Sequence, residues 1–236
     1  MTNLTLTKTE LVESVLRLKP PVAAFDCDGT LWSGDAGEGF FSWSMAQGMV
    51  SEEIERWARA RYADYKAGNV AEEVMCGEMV TMFRGLREEV VQRATDEYFA
   101  LAIAPGIFPE MREVVERLRA DGTDVWAVSS SNQWIIRSGM RHFGIPQNRI
   151  LAAETAVENG VVADRLIRVP SGPGKPAALR EVLSSPPDCA FGNSLWDREM
   201  LAMSKHAFAI NPSPQLKEIA VASGWRMYQP EANYAG

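Results

Sequence analysis

Two aspartates one residue apart, Asp26 and Asp28, stand where the short apolar run Val22-Ala23-Ala24-Phe25 ends, and Gly29-Thr30-Leu31 follows them. An extended chain sends alternate side chains to one face, so both carboxylates point one way and Cys27 the other. A carboxylate pair at the carboxyl end of a buried strand lies where α/β sheets keep their ligands. Its repulsion is relieved by a cation between the two acids or by a retained proton. Gly29 permits a tight turn, and the Thr30 hydroxyl can bond backbone or ligand oxygens nearby. Taken alone, Asp-x-Asp-Gly equally describes a helix cap beside a solvated turn. The buried strand before it and the Thr-Leu after it favour chemistry.

Two further polar residues are placed like working groups. Ser129 is the first polar residue after Val125-Trp126-Ala127-Val128, so its hydroxyl emerges where a second strand runs out. The run Ser129-Ser130-Ser131-Asn132 also suits the cap of a following helix, a task that Ser131 or Asn132 can take. Lys175 follows the tight loop Ser171-Gly172-Pro173-Gly174 and opens a helix over 176–183, whereas a lone lysine is usually a solvated surface charge.

The elements that must position these groups fall into two kinds. Over 34–104 the chain has long helix-compatible stretches, such as 51–67 and 86–101, and little strand signal. Ser51-Glu52-Glu53-Ile54 opens one of them with a capping serine and acids in the first turn. On either side of this interval strands and helices alternate. A helix over 9–19 stops at Pro20-Pro21 before the first strand. Later come a helix over 109–120, strand 125–128, a helix over 133–142 and strand 150–153. A turn at Glu158-Asn159-Gly160 leads to a hairpin strand at Val161-Val162. A strand at 189–191, a helix from Trp196 and a strand at 207–210 complete the pattern. The fold class is therefore α/β, a mostly parallel sheet with helices on both faces, interrupted by a helical insertion.

Composition narrows the function. A chain of 236 residues with formal net charge -7 and pI near 5.0 lacks the clustered Lys and Arg of a nucleic-acid surface, so no nucleic-acid partner is expected. No apolar run is long enough to span a bilayer, so no membrane partner is expected either. Three scattered cysteines (Cys27, Cys76, Cys189) give neither a disulfide framework nor paired metal spacing, and the first 21 residues lack the pattern of a secretory signal. The expected location is the cytoplasm. No G-x-G-x-x-G follows the first strand, which argues against a dinucleotide-dependent oxidoreductase. Composition is silent on the oligomeric state.

Phe25-Asp26-Cys27-Asp28-Gly29-Thr30-Leu31 resembles the first motif of the haloacid dehalogenase (HAD) superfamily in its phosphatase form. Three more segments resemble the later motifs in order: Val125 to Ser129, Gly174-Lys175-Pro176, and Phe191-Gly192-Asn193-Ser194-Leu195-Trp196-Asp197. The layout is similar to the phosphoserine phosphatase-like branch. The resemblance implies a Rossmann-like core over 1–33 and 105–236, and an all-helical C1-type cap over 34–104 that sets specificity. It implies an Mg²⁺-dependent phosphomonoesterase acting on a small phosphorylated metabolite. Asp26 is then the nucleophile that forms an aspartyl-phosphate, and Asp28 the acid and base that serves the leaving oxygen and the water. Ser129 and Lys175 bind phosphate, and Asp26, Asp28, Asn193 and Asp197 form the metal set.

Asn193 stands where the family usually has an aspartate, which removes one negative charge while leaving an amide oxygen that Mg²⁺ accepts. The substrate clamps of phosphoserine enzymes fall near Met79 and Trp196 here, so a substrate carboxylate loses its expected partner. Asp35 matches the family's entrance acid, with Glu38 close by and Trp32, Phe40, Phe41 and Trp43 around them. Asp35, Glu38 and Trp43 are thus candidate substrate residues, suited to an amine or quaternary ammonium. The competing assignment makes the aromatics the cap's core and the acids its helix caps. Two other functions remain open: a phosphotransferase or mutase using the same aspartates, and a phosphate-binding protein weakened at Asn193.

Overall fold

The computed structural model describes residues 4–231. Eight strands form one sheet in the order β1-β8-β7-β6-β2-β3-β4-β5. At its centre, β2 (Val22–Phe25) runs parallel to both β3 (Asp124–Asn132) and β6 (Cys189–Gly192). Beyond β6 lie β7 (His206–Ile210), β8 (Arg226–Tyr228) and β1 (Thr5–Leu6), all parallel. Beyond β3 lie β4 (Ile150–Glu158) and β5 (Val161–Arg168), the one antiparallel pair. Asn159 and Gly160 turn this hairpin with positive φ, as the Asn-Gly dipeptide predicts.

Each central strand buries both faces. Phe25, Ala127, Phe191 and Phe208 face one apolar layer, while Ala24, Val128, Ala190 and Ala209 face the other. The first layer packs α1 (Lys8–Leu18), α6 (Pro109–Ala120) and α7 (Gln133–Arg141). The second packs α8 (Gly174–Val182), α9 (Arg198–Met203) and α10 (Pro214–Ser223). Among the described residues no helix is long and apolar enough to cross a membrane.

Between β2 and β3 the chain inserts α2 (Ala36–Ala46), α3 (Glu52–Lys66), α4 (Glu72–Thr81) and α5 (Glu88–Tyr98), then a π-helical turn over Phe99–Ile103. Ser51 caps α3 as expected, its side chain accepting from the Ile54 N–H at 3.3 Å. Phe40, Phe41, Val80, Phe83 and Val91 of the insertion join the same apolar layer as the sheet. Two seams fix its far side. Residues 85–88 bond the hairpin through Gly85 N to Val162 O (2.8 Å), Val162 N to Leu86 O and Glu88 N to Gly160 O. Glu88 also accepts from Trp134 Nε1 at 3.1 Å and Arg137 Nη1 at 2.8 Å, tying α5 to α7.

Three expectations need correction. Strand β3 continues past Val128 to Asn132, with a register shift against β4, because its polar end serves the site and carries no apolar alternation. Strand β4 likewise runs on to Glu158. The short strands β1 and β8 and helix α10 escaped the sequence pattern, although Ser213, Pro214 and the left-handed Gly224 are start and stop signals for α10.

The sheet centre that carries the first aspartate is held by stacked rings. Phe191 lies flat against Phe25 (centroids 4.1 Å apart) and against Phe208 (4.9 Å), each in register on the neighbouring strand. Phe191→Ala therefore removes the middle of a three-strand stack and is expected to cost about 3–5 kcal/mol in urea unfolding. A loss below about 1 kcal/mol would mean that the stack contributes little.

Candidate active site

The carboxyl ends of β2, β3 and β6 converge on one buried ammonium. Lys175, at the start of α8, donates to Asp26 Oδ1 at 2.6 Å, Asp197 Oδ1 at 2.6 Å and the Val128 carbonyl at 3.1 Å. Lysine, nucleophile candidate and Asp197 are 2 %, 6 % and 0 % exposed, so this charge triad is almost wholly buried and meets solvent only at the cavity floor. Burial opposes the lysine charge, but Asp197 and Asp26 outweigh it and push its pKa up, so Lys175 stays protonated. Burial and the Asp197 charge raise Asp26 to about 6, against the pull of Lys175 and Thr30. The Thr30 hydroxyl donates to Asp26 Oδ2 at 2.8 Å and fixes the carboxylate plane.

Asp28 faces the helical insertion. Its Oδ1 accepts from Trp32 Nε1 (2.8 Å) and the Ala36 N–H (2.6 Å), and its Oδ2 from the Ser131 hydroxyl (2.6 Å). Burial and then the charge of Asp35 push its carboxyl up to about 7. Gly37 makes this approach possible, because a Cβ there would lie 2.3 Å from Ser131 Oγ. Ser129 lines the same mouth, its Oγ accepting from the Ser131 N–H at 3.1 Å, while Asn132 caps α7 by accepting from the Ile135 N–H.

Asp26, Asp28, Ser129, Lys175 and Asn193 all line one open cavity of about 480 Å³. Asp197 lies beneath it, its Oδ2 held by the N–H groups of Asn193 and Ser194 at 2.9 Å each. The four acids and amides grouped as metal ligands are therefore divided. Asp26, Asp28 and Asn193 line the cavity, the Asp28 oxygens already accepting from Trp32, the Ala36 N–H and Ser131, while Asp197 lies beneath it bonded to Lys175. The Asn193 side-chain amide packs against Gly29, whose Cβ would come within 1.9 Å of Nδ2, and makes no hydrogen bond among the described residues. Nor do three or more His, Cys, Asp or Glu side chains form a metal cage among those residues. One carboxylate plus one free amide, completed by phosphate and water oxygens, still suits a hard divalent cation.

The substrate candidates separate as well. Asp35 and Glu38 line the mouth, and Asp35 also caps α2 by accepting from the Glu38 N–H at 2.8 Å. Trp43 stacks with Phe40 (5.8 Å), meets Tyr98 at a tilt (5.6 Å) and lines neither this cavity nor the one behind it. Phe40 and Phe41 are buried in the core, and Trp32 lies under the floor. The insertion's arginines Arg56, Arg59, Arg61 and Arg84, which could have clamped a substrate carboxylate, line neither cavity; Arg61 grips Glu78 with two nitrogens and Arg59 bonds Glu55. Sequence reasoning missed Tyr62, Tyr65, Lys66 and Glu72, which also line these cavities. The helical spacing of 62, 65 and 66 is a signal that could have found three of them.

The family model of haloacid dehalogenase-like hydrolases matches residues 23–202, and the chain belongs to that family. A probable phosphatase of Mycobacterium tuberculosis is 25% identical over 211 residues, covering 86% of this chain and 73% of its own. A histidinol-phosphatase of Neisseria meningitidis is 26% identical over 215 residues, covering 86% of this chain and 96% of its own. A solved structure of a Bordetella pertussis protein of unknown function superposes with a TM-score of 0.76 at 22% identity, covering 88% of this chain and 97% of that one. The chain is thus a HAD hydrolase of the phosphatase kind, a phosphoric monoester hydrolase.

The triad sets a stability test. Lys175→Met leaves two buried carboxylates facing each other without their cation, and is expected to cost about 3–5 kcal/mol in urea unfolding of the metal-free protein. A variant as stable as the wild type would show that the lysine does not hold this end of the sheet together.

Proposed function

We propose that this phosphatase is an Mg²⁺-dependent phosphomonoesterase of the cytoplasm that hydrolyses a small organic phosphate through an aspartyl-phosphate on Asp26. The observation that carries the reading is the Lys175 ammonium bonded to Asp26 at the floor of an open cavity, with Ser129 on its wall. Three free cysteines suit a reducing compartment.

In the first half-reaction an Asp26 oxygen attacks phosphorus as the P–O bond to the leaving group breaks, and Asp28 gives its proton to the departing oxygen. In the second, water attacks the same phosphorus, Asp28 takes the water's proton, and the bond to Asp26 breaks to release inorganic phosphate. The Ser129 hydroxyl holds a phosphoryl oxygen, and Lys175 holds another by turning one N–H away from its present acceptors. Asp28 suits a proton-transfer role because Ser131, Trp32 and the Ala36 N–H fix its carboxyl at the mouth. Asp26 and Asn193 would hold Mg²⁺, which when bound supplies neutralising charge to the phosphoryl oxygens.

Asp26→Asn is expected to abolish release of phosphate from an aryl phosphate while leaving the unfolding midpoint within a few degrees. Activity near wild type would end the covalent reading. Asn193→Asp restores an anionic ligand, so calorimetric titration should show Mg²⁺ bound several-fold more tightly. Unchanged or weaker binding would remove Asn193 from the metal site.

A further inference from the structure

Behind the phosphate mouth the space continues into an inner cavity of about 60 Å³ between α2, α3, α4 and the end of β3. On this scale a water needs roughly 10–15 Å³, so a headgroup of a few heavy atoms fits. Asp35, Glu38, Tyr65 and Glu72 line both spaces, so a phosphate seated over Asp26 directs its leaving group inward.

The charge of this inner space is one-sided. Asp35, Glu38 and Glu72 supply carboxylates to its wall, and no arginine lines it. Glu72 is held in place from two sides, accepting from Tyr65 OH at 2.7 Å and Ser171 Oγ at 3.4 Å. A leaving group bearing its own carboxylate would meet like charges here, and an uncharged one would offer these acids no charge to pair with.

A cation marks the mouth beside it. The Lys66 ammonium at the end of α3 lies 5.0 Å from the Tyr62 ring centroid and 6.0 Å from that of Tyr65, and 3.4 Å from Glu38 Oε2. Two aromatic faces and a carboxylate around one ammonium form a cation-recognition arrangement. Lys66 reaches it on a long stem whose side chain is 56% exposed, so it can swing away into water. The buried Tyr62 hydroxyl faces Glu38 and Lys66 and has no well-formed hydrogen bond among the described residues.

We infer that this cavity, where it opens to the mouth, binds the ammonium end of an amino-alcohol phosphate, and that Lys66 on the mouth wall is an internal stand-in for that ammonium which the substrate displaces from Glu38 and the two tyrosines. The inference rests on the phosphomonoesterase reading above, which names no leaving group. Tyr62, Tyr65, Glu38 and Glu72 are its specificity residues.

The test uses phosphoethanolamine, phosphocholine, phosphoserine and the neutral ethyl phosphate, with aryl phosphate as the generic substrate. Wild type should favour phosphoethanolamine or phosphocholine over ethyl phosphate in kcat/KM by about tenfold or more, the worth of a partly desolvated cation site, and should disfavour phosphoserine. The two amines report whether the cage prefers a primary or a quaternary ammonium. Glu72→Gln should reduce the ratio of ammonium to neutral substrate, and Lys66→Met should raise it. Equal kcat/KM for the ammonium and neutral esters, a preference for phosphoserine, or a ratio lowered by Lys66→Met would overturn the inference, the last by making Lys66 an anion clamp. Calorimetry on Asp26→Asn separates this from the parent reading, because ammonium-selective binding of phosphoethanolamine over ethyl phosphate needs no turnover. If aryl phosphate is hydrolysed without ammonium selectivity, the subsite fails alone. If the binding is selective but no ester is hydrolysed, the subsite stands and the catalytic reading fails.

Discussion

One ammonium shared by two buried carboxylates is the constraint on which the rest of this molecule depends. Lys175 bonds Asp26 beyond β2, Asp197 beyond β6 and the Val128 carbonyl of β3, so three strand ends are gathered at a single nitrogen. A carboxylate out of water is costly unless paired and hydrogen-bonded, and here every oxygen of Asp26 and Asp197 has a donor. The triad nevertheless keeps an excess negative charge, since two acids face one lysine. That imbalance explains why burial and Asp197 raise Asp26 even with Lys175 in contact. It also leaves the site in want of a further cation, which is the physical basis for proposing a metal beside Asp26 and Asn193.

The second aspartate shows how the insertion is coupled to the sheet. Asp28 is drawn toward the start of α2 by the Ala36 N–H and toward the extended end of β3 by Ser131. Its placement thus depends on the insertion lying close to the sheet, and the seams from residues 85–88 and from Glu88 to α7 hold the insertion there. In the proposed mechanism this links proton transfer to closure over the substrate. The same closeness brings Tyr65, Glu72 and Lys66 to the mouth, where the proposed ammonium subsite lies.

Much of this was legible in the chain. The strands β2, β6 and β7 are short unbroken apolar runs, and helices α3 and α6 fall where capping serine and N-terminal proline place them. The order of the four motif segments located Asp26, Asp28, Ser129, Lys175, Asn193 and Asp197, five of them at one cavity and Asp197 just below it. What stayed hidden depends on packing between distant segments. No local pattern says that Trp32 turns its indole N–H to Asp28, or that Trp43 belongs to an aromatic cluster instead of the mouth. Lys66 and Glu72 carry ordinary surface residue types, and only the fold of α3 against α4 brings them together with Glu38. Strands β1 and β8 are too short for a period to show.

The claim at the centre of the account is that Asp26 carries the phosphoryl group. Rapid acid quench during turnover of an aryl phosphate, followed by peptide mass analysis, measures this directly. The account predicts a phosphoryl adduct on the peptide containing Asp26, lost on chase with water and absent from Asp26→Asn. Turnover with no adduct at any quench time, in a protein whose release of the first and second products shows no burst, would mean direct attack by water. An adduct on any residue other than Asp26 would contradict the account outright.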